Sequence, residues 1–192
     1  HLLDHTPYFS ILSQRRLYTA GMSVFGCPFP CEFCAMRKTP NQVRSAANLY
    51  EEMERCVSLG IHEIDYFDPN IALGRQRVFE LCERLRRRPL DIRWSVRANI
   101  VTMTPELLTA MAGAGCSWIG YGIESGDDTI RAGIDKRQRG TNRILETLQY
   151  TRKVGIRTCG FFILGLPGET HASIDRTVEF MKRAPLDWVQ VS

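Results

Sequence analysis

The sequence predicts an α/β fold in which short strands alternate with longer helices. Short apolar runs alternate with segments whose apolar residues recur at helical spacing, and no repeat or low-complexity stretch interrupts them. Glycine, proline and small polar residues mark the boundaries between these segments. This alternation is typical of βα units with parallel strands, which form either a doubly wound sheet or a barrel-like arc.

Six strands and five helices are expected along the chain. The predicted strands cover approximately residues 17–25, 63–67, 92–96, 117–123, 156–164 and 187–191. The predicted helices cover approximately 48–59, 75–88, 105–113, 141–154 and 169–183. Thr104 and Pro105 are the N-cap and first residue of the third helix, and Gly60 and Gly155 follow the first and fourth helices.

Composition indicates one globular core in a cytoplasmic chain. The 192 residues are 44% apolar, and the net charge of +4 is spread thinly. Arg86, Arg87 and Arg88 form one basic block, which is typical of a solvated helix end, so a nucleic-acid partner is not expected. No run of eighteen apolar residues and no signal peptide is present, so membrane insertion and secretion are not expected either.

The chain has seven cysteines, and an odd number fits poorly with a closed disulfide framework. Reduced thiols are therefore expected, some of them with a metal role. Cys56, Cys82, Cys116 and Cys159 fall within predicted helices or strands, or at the edge of one, and are predicted to pack in the core as small apolar residues.

The other three cysteines lie in one loop after the first predicted strand. Cys27, Cys31 and Cys34 have a CxxxCxxC spacing, with glycine and prolines between them that let the backbone curl. Thiolates are the usual ligands of iron–sulfur clusters, and a structural zinc site would need a fourth Cys or His nearby. The nearest downstream histidine is His62, just before the second strand. The loop therefore indicates a cluster with one open iron, with a zinc loop or an electron-transfer cluster as the alternative.

This cysteine loop, with Phe33 just before its third cysteine, resembles the signature of the radical S-adenosylmethionine (SAM) superfamily. The resemblance implies a partial (βα)6 TIM-like barrel and a [4Fe–4S] cluster on Cys27, Cys31 and Cys34. It also implies that the open iron binds SAM, and that reductive cleavage releases a 5′-deoxyadenosyl radical, which abstracts hydrogen from a substrate. An electron donor such as flavodoxin or ferredoxin would be a partner, and a small molecule of unknown identity the substrate.

Polar or glycine-rich residues follow the later strands, where a barrel places its functional loops. The segments are FDPN, RAN, GIESG and LGLPGET, after strands two to five. The last two, with WSVRAN, resemble the branch of the superfamily that carries a cobalamin-binding domain ahead of the barrel. By this resemblance Glu124 and Ser125 contact the ribose or methionine part of SAM, Lys136 its carboxylate, and Ile163 and Gly165 lie near its adenine. Phe33, Asp68 and Arg97 are further candidates for cofactor binding. The alternative for Glu124 is an exposed acid in a loop. Asp68 has a turn-capping role as its alternative, and Arg97 an ion pair at the barrel mouth.

The sequence also departs from the family pattern. The Gly-Gly-Glu-Pro element that often follows the second strand is replaced by Asp68-Pro69-Asn70. No Asp-x-His-x-x-Gly element, which would ligate cobalamin, occurs in the chain, so cobalamin would be bound by a domain outside it. Residues 1–16 are expected to be a linker and residues 17–192 the radical SAM core of a longer enzyme.

The predicted function is that of a radical SAM enzyme that carries out methylation or ring-forming chemistry. Which residues act directly on a substrate is not predicted. The alternatives are a methylthiotransferase of RNA or protein, and a non-catalytic module that binds an iron–sulfur cluster or zinc.

Overall fold

Six parallel strands form one sheet that follows the order of the chain. The computed structural model describes residues 13–15, 17–134 and 140–192. Its strands in chain order are β1 (Thr19–Gly21), β2 (Val24–Phe25), β3 (Gln42–Val43), β4 (Glu63–Tyr66), β5 (Arg93–Ala98), β6 (Cys116–Glu124), β7 (Arg157–Phe162) and β8 (Trp188–Val191). The sheet order is β1-β4-β5-β6-β7-β8, and each neighbouring pair is parallel. The prediction of a partial barrel of six βα-type strands is confirmed.

Helices connect the strands and pack against them. They are α1 (Ala46–Ser58), α2 (Arg75–Arg87), the 3-10 helix η1 (Ile100–Thr102), α3 (Pro105–Gly113), α4 (Asp128–Gly133), α5 (Thr141–Lys153) and α6 (His171–Arg183). Thr104 caps α3 as predicted, accepting a hydrogen bond from the backbone of Leu107. The predicted start of α6 was two residues early, because Thr170 is its N-cap and forms a capping box with Ser173.

The first predicted strand, 17–25, is divided in two. Its first part, β1, pairs with β4, whereas β2 leaves the main sheet and pairs with β3 in a small antiparallel sheet. The backbone N–H groups of Ser23 and Val24 donate to the side chain of Asp68 instead of to a neighbouring strand. The edge strand of the main sheet, β1, therefore ends at Gly21.

Apolar side chains pack between the central strands and the helices. Trp94 of β5 and Tyr121 of β6 are fully buried and belong to the same core cluster as Leu49 and Met53 of α1. Cys56, Cys82, Cys116 and Cys159 are also buried, as predicted. No helix in the described part of the chain has the length and apolar character needed to span a membrane.

Three residues of the predicted linker fall within the described ranges. Glu63, a buried residue at the start of β4, accepts hydrogen bonds from the backbone N–H groups of Gln14 and Arg15 at 2.7 and 2.8 Å. The hydroxyl of Ser13 donates to the same carboxylate oxygen at 3.0 Å. These contacts hold residues 13–15 against the amino-terminal end of the sheet.

Candidate active site

The three cysteines of the predicted cluster loop line one cavity of about 240 Å³. The loop connects β2 to β3. Cys27 and Cys31 are 8% and 7% exposed, and Cys34 is half-buried. The structure therefore brings all three thiols to the wall of the same cavity.

The loop is held in its curled path by contacts within itself. Gly26 has a φ of +76°, and a Cβ at this position would lie 2.0 Å from the carbonyl oxygen of Pro40. The backbone N–H of Cys27 donates to Oγ1 of Thr39 at 2.9 Å. The backbone N–H of Lys38 donates to the carbonyl of Phe29 at 3.0 Å, which closes the segment that contains Cys31 and Cys34.

This donor set fits a cluster bound through three thiolates. The thiols come from one short loop and share one cavity, which is the arrangement that iron–sulfur clusters use with cysteine ligands. Within residues 13–15, 17–134 and 140–192, no three His, Cys, Asp or Glu side chains converge to hold a single metal ion.

The rest of the cavity wall comes from the carboxyl ends of the strands, where functional residues were expected. The lining residues beyond the cysteines are Phe29, Phe33, Asp68, Pro69, Asn70, Arg97, Ala98, Asn99, Gly122, Glu124 and Phe161. Phe33, Asp68, Arg97 and Glu124 were singled out from the sequence, and the structure places all four beside the cysteines.

Asp68 is buried, and its carboxylate is used within the protein. Oδ1 accepts hydrogen bonds from the backbone N–H groups of Ser23 and Val24 at 2.6 and 2.9 Å, and Oδ2 accepts one from the hydroxyl of Ser23. Arg77 donates to that hydroxyl at 3.0 Å. The carboxylate therefore fixes the segment that leads into the cysteine loop.

Arg97 lies between two aromatic rings. Its guanidinium carbon is 3.9 Å from the ring centre of Phe67 and 4.8 Å from that of Trp118. Nη1 forms an ion pair with the buried carboxylate of Asp65. This stacking and pairing fix the plane of the guanidinium group at the cavity wall.

The same carboxylate, Asp65, organises a polar layer inside the arc of strands. It accepts a hydrogen bond from Ser95 at 2.7 Å, and the hydroxyl of Tyr18 lies 3.5 Å from its second oxygen. Burial, followed by the negative charge of Asp65, raises the pKa of Tyr18 to about 12. Tyr18 therefore stays protonated at neutral pH.

Glu124 ends β6 in an unusual backbone conformation. Its φ is +71°, which is uncommon for a residue with a side chain, and the pairing of β6 with β7 shifts register between Gly122 and Glu124. The side chain is 5% exposed. The bulge places Glu124 at the cavity, and backbone strain of this kind is frequent at functional sites.

Ser125 follows Glu124 but does not line the cavity. It is fully buried, its hydroxyl lies 3.0 Å from that of Thr177, and it accepts a hydrogen bond from the backbone of Asp127 at 3.1 Å. Arg131, also fully buried, donates to its carbonyl. These contacts fix the loop between β6 and α4.

Of the remaining predicted positions, Ile163 and Gly165 are not among the residues that line the cavity. The backbone N–H of Ile163 donates to the carbonyl of Glu124 at 2.9 Å, so the two strand ends are joined. The backbone N–H of Gly165 donates to Glu169 at 2.5 Å. Lys136 lies outside the described residues.

The residue list predicted from the sequence omitted several residues of the cavity wall. Asn70 and Asn99 belong to the FDPN and RAN segments at the strand ends. Their place in those segments could have indicated that they line the cavity. Phe29 lies within the cysteine loop itself. Phe161 belongs to β7, and nothing in its sequence context indicates that its ring reaches the cavity.

An arc of parallel βα units with a three-cysteine loop at the carboxyl ends of its strands is the architecture of a radical SAM core domain. The sequence agrees, and the chain belongs to the radical SAM superfamily, which it matches over residues 23–181.

The relatives include methyltransferases and a cyclase. The uncharacterized methyltransferase PH0819 of Pyrococcus horikoshii is 29% identical over 191 residues, which cover 97% of this chain and 39% of that protein. The anaerobic magnesium-protoporphyrin IX monomethyl ester cyclase of Rubrivivax gelatinosus is 25% identical over 194 residues, covering 97% of this chain and 34% of that protein. The chain thus spans little more than a third of either relative.

A solved structure supports the fold. The radical SAM methyltransferase TsrM of Kitasatospora setae, with tryptophan and a SAM analog bound, superposes with a TM-score of 0.82 at 21% identity. The superposition covers 91% of this chain and 35% of TsrM. The predicted fold and superfamily are confirmed.

Proposed function

We propose that Cys27, Cys31 and Cys34 bind a [4Fe–4S] cluster and that SAM binds beside it in the cavity at the strand ends. The observation that carries the proposal is that the three thiols and the polar ends of β4, β5 and β6 line one cavity. A reduced cluster and SAM bound there would supply a 5′-deoxyadenosyl radical that abstracts hydrogen from a substrate.

The chain's own residues would bind and orient these groups. The carboxylate of Glu124 suits hydrogen-bond donors such as ribose hydroxyls or an ammonium group, and the guanidinium of Arg97 suits an acceptor. Phe33 would cover the cluster side of the cavity. Ser125, Ile163 and Gly165 would position the loops that contact SAM, and Lys136 is proposed to bind its carboxylate. Asp68 would act by holding the cysteine loop.

Methyl transfer or ring formation is the proposed reaction class, on a small-molecule substrate. The relatives named as a methyltransferase and a cyclase support it. Methylthiotransferases are also similar to the chain, but at weaker similarity. Cobalamin, which is bound in another structure of TsrM, would here be held by a separate domain, because this chain has no Asp-x-His-x-x-Gly element.

Residues 17–192 are proposed to be the core domain, working in the cytoplasm with a reductant. Radical SAM enzymes need an electron donor, for which flavodoxin or ferredoxin is the proposed protein. All seven cysteines are free thiols, as is usual in a reducing compartment, and this supports the cytoplasmic location.

The test is anaerobic reconstitution of the chain with iron and sulfide, with Cys27→Ala, Cys31→Ala and Cys34→Ala compared with Cys56→Ala and Cys82→Ala. The first three variants are expected to lose the iron–sulfur absorbance and most of the bound iron. The other two remove buried thiols that lie on α1 and α2, outside the loop, and should keep both. Cluster loss in the control pair, or stoichiometric zinc in place of iron, would contradict the ligand assignment.

A second measurement tests for radical chemistry. Reconstituted chain with SAM and dithionite is expected to release 5′-deoxyadenosine, even without its substrate. A fully loaded chain that releases none would favour the non-catalytic module.

A further inference from the structure

Arg131 is a fully buried cation of α4 that joins three segments of the chain. Its guanidinium group donates to the carbonyl of Ser125, just after β6, and to the carboxylate of Asp128 in the first turn of α4. It also donates to Oγ1 of Thr141, the first residue of α5, at 2.8 Å. These contacts tie α4 to the strand before it and to the helix after it.

The hydrogen bonds of Arg131 compensate only in part for the burial of its charge. Within the described part of the chain, its Nε has no hydrogen-bond partner, and burial lowers the pKa of the guanidinium group. The carboxylate of Asp128 is 56% exposed, so water screens the ion pair. An apolar side chain of similar volume often stabilises a buried site as well as an ion pair does. Arg131 is therefore better explained by what it positions than by stability.

Helix α4 needs such contacts, because it is short and lies outside the main core. It has six residues, too few for a helix that is stable by itself. Ile130, and Ile134 at the C-cap, pack with Leu166 in a small cluster that is separate from the main core. The position of α4 therefore depends strongly on polar contacts such as those of Arg131.

The C-terminal end of α4 contacts the cysteine loop. The carbonyl of Ile134 accepts a hydrogen bond from the backbone N–H of Glu32 at 3.2 Å. Glu32 directly follows Cys31, whose carbonyl accepts the backbone N–H of Cys34 at 3.1 Å. The turn that carries two of the three thiols is thus joined to α4, whereas the backbone N–H of Cys27 is bonded within the loop itself.

We propose that Arg131 is a positioning residue for the cluster: by fixing α4, it holds the turn from Cys31 to Cys34 where both thiols line the cavity. This inference rests on the proposed function. The guanidinium group acts through the backbone of Ile134 and Glu32, not through a contact with the thiols.

Hydrogen exchange of the cluster-free chain, resolved by residue with NMR, tests the positioning step. In Arg131→Met, the Glu32 amide is expected to exchange roughly tenfold faster than in wild type, because its acceptor on α4 is no longer held in place. The Lys38 amide, which donates to Phe29 within the loop, should keep its wild-type rate. An unchanged rate at Glu32, or equal acceleration at both amides, overturns the inference.

The rate at which a chelator removes iron from the reconstituted chain tests the consequence. Arg131→Met is expected to lose iron roughly tenfold faster than wild type at a similar urea midpoint, because an apolar replacement leaves the fold stable. Arg131→Lys keeps the charge but not the fork of donors, so its rate should fall between the two. Arg152→Met makes the same change at an exposed position of α5 and should release iron as wild type does.

Iron release at the wild-type rate in both Arg131 variants overturns the inference. If wild type takes up no cluster, the proposed function itself fails. The exchange rate of Glu32 in the cluster-free chain still reports whether Arg131 positions the loop, so the two failures are distinguishable.

Discussion

Both carboxylate oxygens of Asp68 accept hydrogen bonds from Ser23, one from its backbone N–H at 2.6 Å and the other from its hydroxyl. Ser23 lies between β1 and β2, β2 leads into the cysteine loop, and Asp68 follows β4. The neighbouring strand therefore positions the loop through one side chain.

Asp68→Ala is expected to destabilise the protein by about 3 kcal/mol, because three buried donors lose a charged acceptor. It should also lower the amount of iron that reconstitution retains. Urea unfolding and iron analysis measure the two effects. Asp175→Ala removes an exposed acid of α6 and is the control. If Asp68→Ala lowers the free energy of unfolding and the iron content no more than this control does, the carboxylate does not hold the loop.

Gly26→Ala and Gly60→Ala separate a steric collision from backbone strain. Both glycines have a φ of +76°, but a Cβ at Gly26 would lie 2.0 Å from the oxygen of Pro40, whereas at Gly60 no atom lies within 4 Å. Gly60→Ala should cost about 1 kcal/mol from the left-handed conformation alone. Gly26→Ala should cost about 3 kcal/mol, since the loop must also move. Denaturant unfolding measures both, and equal costs would contradict the collision.

Alkylation of the cluster-free chain should distinguish the loop thiols from the core thiols. The reacting species is the thiolate. Burial raises the pKa of Cys82 to about 12 and that of Cys116 well above its ordinary value, so both stay protonated near neutral pH. With iodoacetamide at about pH 8, Cys34, which is half-buried, should react long before either of them. Peptide mass spectrometry gives the order, and early modification of Cys82 in folded protein would contradict it.

Asp127 makes the stability of α4 dependent on pH. Burial opposes ionisation of its carboxyl group, but hydrogen bonds from Ile130, Arg176 and Thr129 outweigh this and lower its pKa below the ordinary 3.8. A lowered pKa gives stability that is present above the ordinary value and lost as the pH falls through the lowered one.

Asp127→Ala should therefore cost about 1–2 kcal/mol at neutral pH, where the charged N-cap of α4 is intact. The difference in unfolding free energy from wild type should narrow as the pH falls below the ordinary 3.8, because the wild-type carboxyl group becomes protonated. Urea unfolding of wild type and Asp127→Ala, from neutral pH to acid pH, measures this difference. A difference that stays constant with pH would show that the charge contributes nothing.

The order and type of the main elements could be predicted because each has a clear local pattern. The strands of the main sheet are apolar runs, and α3 begins with Thr104 and Pro105 as read from the sequence. The split of the first strand could not be predicted, because it depends on the contact of Ser23 with Asp68, which is distant in sequence. Helix α4 has only six residues, too few to show a helical period.

The sequence predicts which segments form the candidate site, but it does not predict which contacts their side chains make. The cysteine spacing indicated the cluster loop, and the strand ends indicated the opposite wall. Whether a side chain at a strand end faces the cavity or the protein depends on tertiary contacts. The side chains of Asp68 and Ser125 form hydrogen bonds within the protein, whereas Nδ2 of Asn70 has no partner among the residues that the structure describes.

The antiparallel pairing of β2 with β3 holds the two ends of the cysteine loop together. The folded chain has therefore already lost the entropy of bringing the loop ends together before a cluster binds. A protein that has lost its proposed cluster would keep both ends of this loop paired. Reloading a cluster there would then require rearrangement within the loop alone, without unfolding of the main sheet.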